Sequence, residues 1–284
     1  MIIIADSGST KTHLKIVNSN RQMEDVYISG INPFYQTEEE IHYNIESRLI
    51  GKLDNMSVSK IYFYGAGCAF PEKKQVVNQA LSEFFPHADI HIHNDLLAAA
   101  RALFADKEGL VCILGTGSNS CHYQNGKIIK NVSPLGFILG DEGSGAVLGK
   151  KLVANCMKNI YSADLVADFY KSCQTTPAEI MEWVYKRTFP NRYLASLVPY
   201  IVENIDRQEM QDLVESSFQE FFQRNVTRYQ ISTTIPLGFI GSIAYQFQDI
   251  LKSVATQYGM TVSKIEKEPM QGLVKYHIEH INNA

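Results

Sequence analysis

The sequence has no apolar run long enough to cross a membrane and no large excess of charge of either sign. No window comes near the ~18 uninterrupted apolar residues that mark a candidate transmembrane helix. The formal net charge is -4. A chain without a basic excess has little to hold a nucleic acid backbone or an anionic membrane surface. We therefore expect neither a nucleic acid nor a membrane among the partners of this protein.

Cysteine is scarce as well, and its spacing matches no common ligand pattern. The chain has 5 cysteines, and no two of them form a CxxC pair. An odd count without paired spacing favours reduced, buried thiols over a disulfide framework or a metal cluster. The opening "MIII" is too short for the apolar core of a signal peptide. Together these features predict a cytoplasmic protein.

The patterns that are present alternate between strand and helix. With 284 residues, 45% of them hydrophobic and 20% charged, the chain has the size and composition of two soluble domains. After an opening hairpin, the pattern predicts helix 37–53, strand 60–67, helix 72–85, strand 88–95 and helix 96–105. This β-β-α-β-α-β-α order is typical of an α/β layer with some parallel strands.

The plan of the opening hairpin occurs a second time from residue 109. Residues 109–132 contain an apolar strand, the bend "GTGSNS", a second strand, an Asn-Gly turn and a third strand. Mainly helical sequence follows over 145–230. The chain then closes with a strand near 235–242, a helix over 243–259, a strand and a last helix. The sequence thus indicates two similar half-domains, with a boundary in the polar stretch "FADKEG" near residue 105.

The two bends, "DSGSTKT" at residues 6–12 and "GTGSNS" at residues 115–120, match neither of the common nucleotide motifs. A P-loop needs a glycine directly before its lysine and a helix after it, whereas Thr10 precedes Lys11 and a strand follows. The second bend lacks the third glycine of a dinucleotide fingerprint and also runs into a strand. A hairpin bend can still bind phosphate through exposed backbone N–H groups. Each bend on its own is also compatible with a plain tight turn.

Taken together, the motifs resemble those of a known superfamily. The first bend, "LGTGSN" and the later "GFIGS" are similar to the first phosphate, second phosphate and adenosine motifs of the actin-like ATPases. More narrowly, "GINP", "HND", "LGTGSN" and "LGDEGSG" in this order resemble the BadF/BadG/BcrA/BcrD-type ATPase family and its N-acetylglucosamine kinase members. The similarity extends over nearly the whole chain. One departure lies in the first bend, where Ser7 and Ser9 stand in place of two glycines of the family pattern.

The resemblance implies an α/β fold of two ribonuclease-H-like lobes with a nucleotide cleft between the lobes. Residues 1–105 would form the N-terminal lobe, joined by the C-terminal helix 269–284, and residues 106–268 would form the C-terminal lobe. The resemblance also implies an ATP-dependent kinase that phosphorylates a hydroxyl group of an amino sugar or hexose, with N-acetylglucosamine the first choice. ATP and Mg²⁺ would be the cofactors and the sugar a small-molecule partner, and a homodimer is a further expectation.

On the sugar side, the resemblance identifies Asp95 as the catalytic residue. Asp95 would take the proton from the attacking sugar hydroxyl, a contribution of about 10²–10⁴-fold to the rate. Because Asp95 follows a strand and begins a helix, an ordinary helix cap is the structural alternative. Sugar-binding roles are expected for Asn32, Asp95, Ser118, Asn119, Gly136 and Asp141. Asp141 is also a candidate to support the Mg²⁺ site, and the role of Glu142 stays open.

The residues expected to bind the nucleotide lie in the two bends and at Gly241 and Ser242. Nucleotide-binding roles are expected for Gly8, Ser9, Thr10, Lys11, Thr116, Gly117, Gly241 and Ser242. Lys11 would act as a point charge on the phosphates. Gly241 would let the base pack against bare backbone. Asp6, at the end of the first strand, would hold Mg²⁺ through water.

Two other functions stay open at this point. The same family contains ATPases that activate a partner protein through an iron–sulfur cluster shared between subunits. Cys121 and Cys156 are the residues that would ligate such a cluster here. A non-catalytic nucleotide or sugar sensor with the same fold is the third hypothesis. The intact acids and the two phosphate bends favour turnover over sensing.

Overall fold

Two five-stranded mixed sheets organise the chain, and each sheet belongs to its own compact unit. The first unit comprises Met1–Asp106 together with Pro269–Ala284, and the second comprises Lys107–Glu268. The structure, a computed structural model, describes residues 1–8, 10–50 and 57–282. The predicted α/β class is confirmed by these two sheets and the helices that follow their strands.

The first sheet has the strand order β3-β2-β1-β4-β5. Its strands are β1 (Ile2–Ser7), β2 (Lys11–Val17), β3 (Met23–Ser29), β4 (Lys60–Gly65) and β5 (Asp89–Asn94). β1, β2 and β3 are antiparallel neighbours, whereas β1, β4 and β5 run parallel. The carboxyl ends of the three parallel strands therefore meet at one edge of the sheet, at Ser7, Gly65 and Asn94.

Helices cover the first sheet and begin at defined caps. They are α1 (Glu38–Arg48), α2 (Pro71–Phe84) and α3 (Asp95–Phe104). α1 begins at a capping box in which the side chains of Thr37 and Glu40 accept from each other's backbone amides. α1 and α2 pack on one face of the sheet around a core that includes Ile3, Phe63 and Val77, each at most 1% exposed.

The second sheet repeats this plan with the order β10-β9-β6-β7-β8. Its strands are β6 (Gly109–Leu114), β7 (Ser118–Gln124), β8 (Lys127–Val132), β9 (Leu237–Ile240) and β10 (Val262–Glu266). β6, β7 and β8 form an antiparallel meander, and β9 and β10 add in parallel to β6. The two bends of the sequence are the β1–β2 and β6–β7 connections.

The remaining helices lie mostly in the second unit. They are α4 (Gly136–Leu139), α5 (Gly145–Met157), α6 (Ala163–Ser172), α7 (Pro177–Tyr185), α8 (Pro190–Ala195), α9 (Val198–Glu203), α10 (Gln208–Arg224), α11 (Ser242–Gln246) and α12 (Gln248–Gln257). The last helix, α13 (Met270–Asn282), belongs to the first unit and packs on α3 and β1. Among the described residues, no helix has both the length and the apolar character that a bilayer crossing requires.

Three details differ from the sequence pattern. β3 was not predicted, because only Val26 and Ile28 of this edge strand are buried and polar residues surround them. The helix predicted over 243–259 is broken into α11 and α12 at Phe247. α1 ends at Arg48, and the part of the predicted helix over residues 51–53 lies outside the described residues.

The crossing of α5 and α8 depends on a glycine. A Cβ at Gly149 would lie 1.9 Å from the carbonyl oxygen of Leu194, which is backbone and cannot rotate away. We expect Gly149→Ala to lower the free energy of unfolding by about 1–3 kcal/mol, the usual cost of overpacking. Thermal denaturation measures the change. Ser253→Ala, at an exposed position of α12, is the control, and an equally stable Gly149→Ala variant would contradict this packing.

Candidate active site

Asp95 is the first residue of α3 and lies where the parallel strands of the first sheet end. The helix cap is its neighbour Asn94, whose side chain accepts a hydrogen bond from the amide of Leu97 at 2.9 Å. The structural alternative raised by the sequence, that Asp95 is the cap, is therefore wrong. The Asp95 carboxyl does not provide the cap, although the amides of Leu96 and of Asp95 itself donate hydrogen bonds to it.

The surroundings of Asp95 make its carboxyl a stronger base than a free aspartate. Burial raises the pKa of Asp95, and the backbone amides of Leu96 and of Asp95 itself only partly offset this effect. Its charge in turn contributes to the raised pKa of the Cys68 thiol, about 12, for which burial is the main cause. Cys68 belongs to the turn that follows β4, and Asp95 directly follows Asn94, the register partner of Gly65 at the start of the same turn.

The side chain of Asn32 packs against this turn, which comprises residues 65–68. Gly67 has a φ of +84°, and a Cβ there would lie 2.3 Å from Oδ1 of Asn32. The same Oδ1 accepts a hydrogen bond from the amide of Phe34 at 3.0 Å. The Nδ2 group of Asn32 has no hydrogen-bond partner among the described residues. Asn32 is 7% exposed, so the structure brings a fixed amide donor and Asp95 to the same turn.

The 65–68 turn was missed by sequence reasoning. The glycines of "YGAGC" gave a signal for it, because a strand that ends in two glycines marks close backbone approach. The partner that approaches, Asn32, lies more than thirty residues earlier in the chain. No local pattern could connect the two.

The first bend places its predicted residues at the same edge of the sheet. Asp6 stands beside His13 of β2 and Tyr64 of β4 in the strand register. Gly8 is exposed, and its amide donates to the carbonyl oxygen of Lys11 at 3.0 Å. Lys11 lies over the Tyr27 ring at 5.2 Å.

The first bend also contains the predicted nucleotide-binding residues Ser9 and Thr10. Thr10 is exposed, and its carbonyl oxygen accepts from the amide of Gly30 at 3.0 Å. The predicted nucleotide-binding residue Ser9 lies outside the described residues. The other serine that replaces a family glycine, Ser7, is fully buried. Ser7 is therefore turned away from any ligand of this bend.

In the second unit, the β6–β7 bend is held by the start of α5. The amides of Gly145 and Ala146 donate to the carbonyl oxygens of Gly115 and Thr116, at 2.8 and 3.1 Å. In a trans peptide the C=O and N–H groups point in opposite directions. The amides of Thr116 and Gly117 therefore point away from α5, and no described residue accepts a hydrogen bond from them.

Asp141 packs directly on this bend. Its Oδ1 accepts from the amide of Ser118 at 3.2 Å, and a Cβ at Gly117 would lie 3.1 Å from its Oδ2. Asp141 has a left-handed φ of 55°, a conformation that costs energy in a non-glycine residue. Burial raises the pKa of Asp141 to about 6, with a further contribution from the charge of Glu142.

Glu142 has a structural partner. Its carboxylate accepts from Arg224 at 2.7 Å and from Asn225 at 3.1 Å. Although burial acts in the opposite direction, these hydrogen bonds and the Arg224 charge lower the pKa of Glu142. The carboxylate of Glu142 thus ties the bend region to the end of α10, and this pairing could not be read from the sequence.

Gly241 also lies against the β6–β7 bend. Gly241 has a φ of 125°, and a Cβ there would lie 2.2 Å from the carbonyl oxygen of Leu114. The turn between β9 and α11 therefore contacts the bend backbone to backbone. Ser242, the first residue of α11, is exposed beside it.

Two predicted sugar residues of the second unit lie at the margin of this group. Asn119 accepts through Oδ1 from the amide of Ser120 and from Nδ2 of Asn131, both at 2.9 Å. Gly136 is exposed, with a φ of 74° and no atom within 4 Å of an added Cβ. Gly136 begins α4, and Asp141 follows the end of this helix.

This geometry fits a nucleotide phosphate. Two outward amides, the Thr116 side chain and a glycine backbone provide donors and space for phosphate oxygens. In the first unit, Asp6 provides a carboxylate near the end of β1, and carboxylate oxygens are ligands that Mg²⁺ prefers. No group of three or more His, Cys, Asp or Glu side chains that could hold a metal ion occurs in the described part of the chain.

Removal of the Asp141 charge should stabilise the protein at neutral pH. A carboxyl with a raised pKa is protonated in the folded state between about pH 4 and pH 6, so the folded state loses stability as the pH rises through this range. We expect Asp141→Asn to unfold later at pH 7.5, by about 1–2 kcal/mol after discounting for solvent screening, and to show no gain near pH 4. Thermal melts over pH 4–8 measure this.

Glu142→Gln is the matched contrast, since the pKa of Glu142 is lowered. This variant should lose stability at pH 7.5. The account of Asp141 would be contradicted if Asp141→Asn were less stable than the native protein at every pH.

Comparison with known proteins identifies the family. No protein-family model matches the chain. A Porphyromonas gingivalis protein assigned as an N-acetylglucosamine kinase has a solved structure that is 43% identical, with 100% of both chains covered and a TM-score of 0.95. The chain belongs to the N-acetylglucosamine kinase family. The predicted actin-like ATPase fold of the sugar kinases is thereby confirmed.

Two more distant proteins are similar over most of the chain. An N-acetylmuramic acid/N-acetylglucosamine kinase of Clostridium acetobutylicum is 23% identical over 283 residues, which cover 90% of this chain and 91% of that protein. A ROK family glucokinase of Streptomyces griseus, solved with glucose and AMPPNP, is 13% identical with a TM-score of 0.57, and 97% of each chain is covered. This last likeness bears on the fold alone.

Proposed function

We propose that this member of the family is an ATP-dependent kinase that phosphorylates a hydroxyl group of N-acetylglucosamine or a closely related amino sugar. The observation that carries the proposal is Asp95, a carboxyl of raised pKa at the ends of three parallel strands, which the helix cap does not use. The 43% identical Porphyromonas gingivalis protein has the same assigned activity. We also propose the BadF/BadG/BcrA/BcrD-type branch of the superfamily, on the four motifs quoted above.

In the first unit, Asp95 would accept the proton of the attacking hydroxyl group. A sugar hydroxyl is a weak nucleophile, and a base within hydrogen-bond distance makes it reactive as the new O–P bond forms. Asn32 would donate from Nδ2 to a sugar oxygen, because its Oδ1 is already occupied by Phe34. The fixed positions of Asn32 and Asp95 around one turn would orient the sugar and lower the entropic barrier.

In the second unit, the β6–β7 bend would bind the phosphates of ATP. The outward amides of Thr116 and Gly117 are the proposed donors, and the Gly241–Ser242 turn would receive the adenosine. Ser118, Asn119, Gly136 and Asp141 would complete the sugar contacts that the family resemblance implies. Gly8, Thr10 and Lys11 of the first bend are also proposed for the phosphates, Ser9 being outside the described residues.

Mg²⁺ is proposed as the cofactor of this reaction, held through water by Asp6. When bound, it would neutralise charge on the phosphate oxygens of the nucleotide. Asp6 can provide only one carboxylate, which suits a cation that keeps most of its water ligands. We further propose a homodimer and, since ATP is the donor, a site of action inside the cell.

The alternative of a partner-activating ATPase has little support in the second unit. A cluster shared between subunits needs cysteines at the surface, whereas Cys121 and Cys156 are each 0% exposed. Burial raises the pKa of both thiols to about 12, which disfavours the thiolate that binds iron.

The test is sugar-dependent release of ADP from Mg-ATP. The panel contains N-acetylglucosamine, glucosamine, N-acetylmannosamine, N-acetylmuramic acid and glucose. We expect release to depend on the sugar and to be fastest with N-acetylglucosamine. Release that ignores every sugar would contradict the kinase and would favour an ATPase that acts on a protein partner.

A further inference from the structure

Two buried hydroxyl groups connect the first bend to the loop that carries Asn32. Ser7 ends β1 and Thr12 lies in β2, and the two residues are opposite each other in the strand register. Their side-chain oxygens are 2.6 Å apart. Both residues are 0% exposed, so water cannot replace either hydroxyl as a hydrogen-bond partner.

The hydroxyl pair binds the backbone of the neighbouring loop at several points. Oγ of Ser7 accepts from the amide of Ile31 and can donate to the carbonyl oxygen of the same residue, both at 2.9 Å. Oγ1 of Thr12 lies 3.2 Å from the amide nitrogen of Ile31 and 3.1 Å from the carbonyl oxygen of Ser29. The backbone of Ile31, which belongs to no strand, and the carbonyl oxygen of Ser29 at the end of β3 are thus paired with two buried side chains.

Asn32 follows Ile31 directly and has little freedom of its own. Its amide donates to the side chain of Gln36 at 2.7 Å, and its Oδ1 accepts from Phe34. Oδ1 also fills the space above Gly67, where a Cβ would lie at 2.3 Å. A shift of Ile31 by a fraction of an ångström therefore moves the Asn32 amide relative to the turn beside Asp95.

We propose that the Ser7–Thr12 hydroxyl pair is a positioning device that sets the sugar affinity by fixing Asn32. The proposal rests on the proposed function of Asn32 as a sugar donor. The proposal explains why residue 7 is a serine, because a glycine there would remove the Oγ atom that accepts from the Ile31 amide at 2.9 Å. Ser7 itself touches neither sugar nor nucleotide, because its side chain is fully buried.

The test compares four variants in steady-state kinetics and calorimetric binding of N-acetylglucosamine. Ser7→Ala and Thr12→Val remove one hydroxyl each. Thr12→Ser keeps it and should restore native behaviour. Ser217→Ala is the matched control, because Ser217 is also 0% exposed but its Oγ has no hydrogen-bond partner among the described residues.

We expect Ser7→Ala and Thr12→Val to raise the KM and Kd for the sugar about tenfold, the equivalent of about 1.4 kcal/mol, with the KM for ATP changed by less than about threefold. Hydrogen exchange of the peptide that covers residues 30–36 should be faster in both variants without any ligand. Ser217→Ala and Thr12→Ser should match the native protein in every measurement.

The other outcomes would overturn either this proposal or the proposed function. Faster exchange with an unchanged sugar Kd would overturn the proposal, because the pair would then only stabilise the fold. An equal loss of sugar and ATP affinity would also overturn it. If the native protein neither binds nor phosphorylates any sugar, the proposed function fails, whereas an active native protein with an equally active Ser7→Ala variant defeats this inference alone.

Discussion

Replacement of Asp95 by asparagine is expected to lower kcat for sugar phosphorylation by about 10²–10⁴-fold, the usual contribution of a positioned acid or base. Asparagine keeps the size and a hydrogen-bond acceptor but cannot take a proton. The sugar KM should therefore change by much less than kcat. Initial rates of ADP release over a range of sugar concentrations measure both values.

The start of α3 should survive this substitution, which makes the kinetic result interpretable. Asn94 provides the cap, so Asp95→Asn is expected to melt at the native temperature or above it, since burial of the native carboxyl raises its pKa. Asp89→Asn is the control, because Asp89 lies at the exposed start of β5 and pairs with His91 at 2.9 Å. If Asp95→Asn kept the native kcat, Asp95 would not be the base of this reaction.

Acid should destabilise the first unit strongly through His277. This residue of α13 is 3% exposed. Its Nε2 lies 2.8 Å from the hydroxyl group of Tyr64, and its ring stacks on Tyr62 at 3.8 Å. Burial and the nearby positive charge of Arg101 lower the pKa of His277 to about 3, with smaller contributions from His93, His280 and His91.

The sign of the effect follows from the two pKa values. Below about pH 6.5 the unfolded chain binds a proton at this histidine and the folded chain does not, so stability falls as the pH falls from about 6.5 towards 3. At pH 4.5 the loss from this residue is about 3 kcal/mol, at about 1.4 kcal/mol per pH unit. His93, whose pKa burial lowers to about 4, acts in the same direction.

Thermal melts of His277→Gln from pH 7.5 to pH 4.5 measure this contribution. The variant is expected to start less stable and to lose less stability with acid than the native protein. His87→Gln, at an exposed histidine, should keep the native pH dependence. If His277→Gln and the native protein lose stability in parallel, the acid sensitivity arises elsewhere.

The order of strands and the two bends could be predicted because they are local. Apolar runs that end in glycine or in small polar residues mark β1, β4 and β6, and helical spacing marks α2, α3 and α13. β3 was missed because an edge strand buries only one face and Val26 and Ile28 alone give a weak signal. A third strand was predicted at the matching place of the second unit, so a comparison of the two units would have indicated β3.

The contacts that shape the candidate site were beyond a sequence reading because they join distant segments. Ser7 was interpreted as a replacement for a phosphate-side glycine, whereas its hydroxyl is buried against Ile31. Glu142 pairs with Arg224, more than eighty residues later in the chain. Neighbouring side chains of a strand point to opposite faces of the sheet. A sequence reading of β1 would have to assign these faces correctly to separate the buried Ser7 from its neighbour Asp6.

The most direct test of the central claim is the mass of the sugar after incubation of the native protein with Mg-ATP and N-acetylglucosamine. The account predicts a sugar monophosphate, formed in equal amount to ADP and at an initial rate about 10²–10⁴-fold lower when Asp95→Asn replaces the native protein. ADP without any phosphorylated sugar, from N-acetylglucosamine or from the other sugars of the panel, would contradict it.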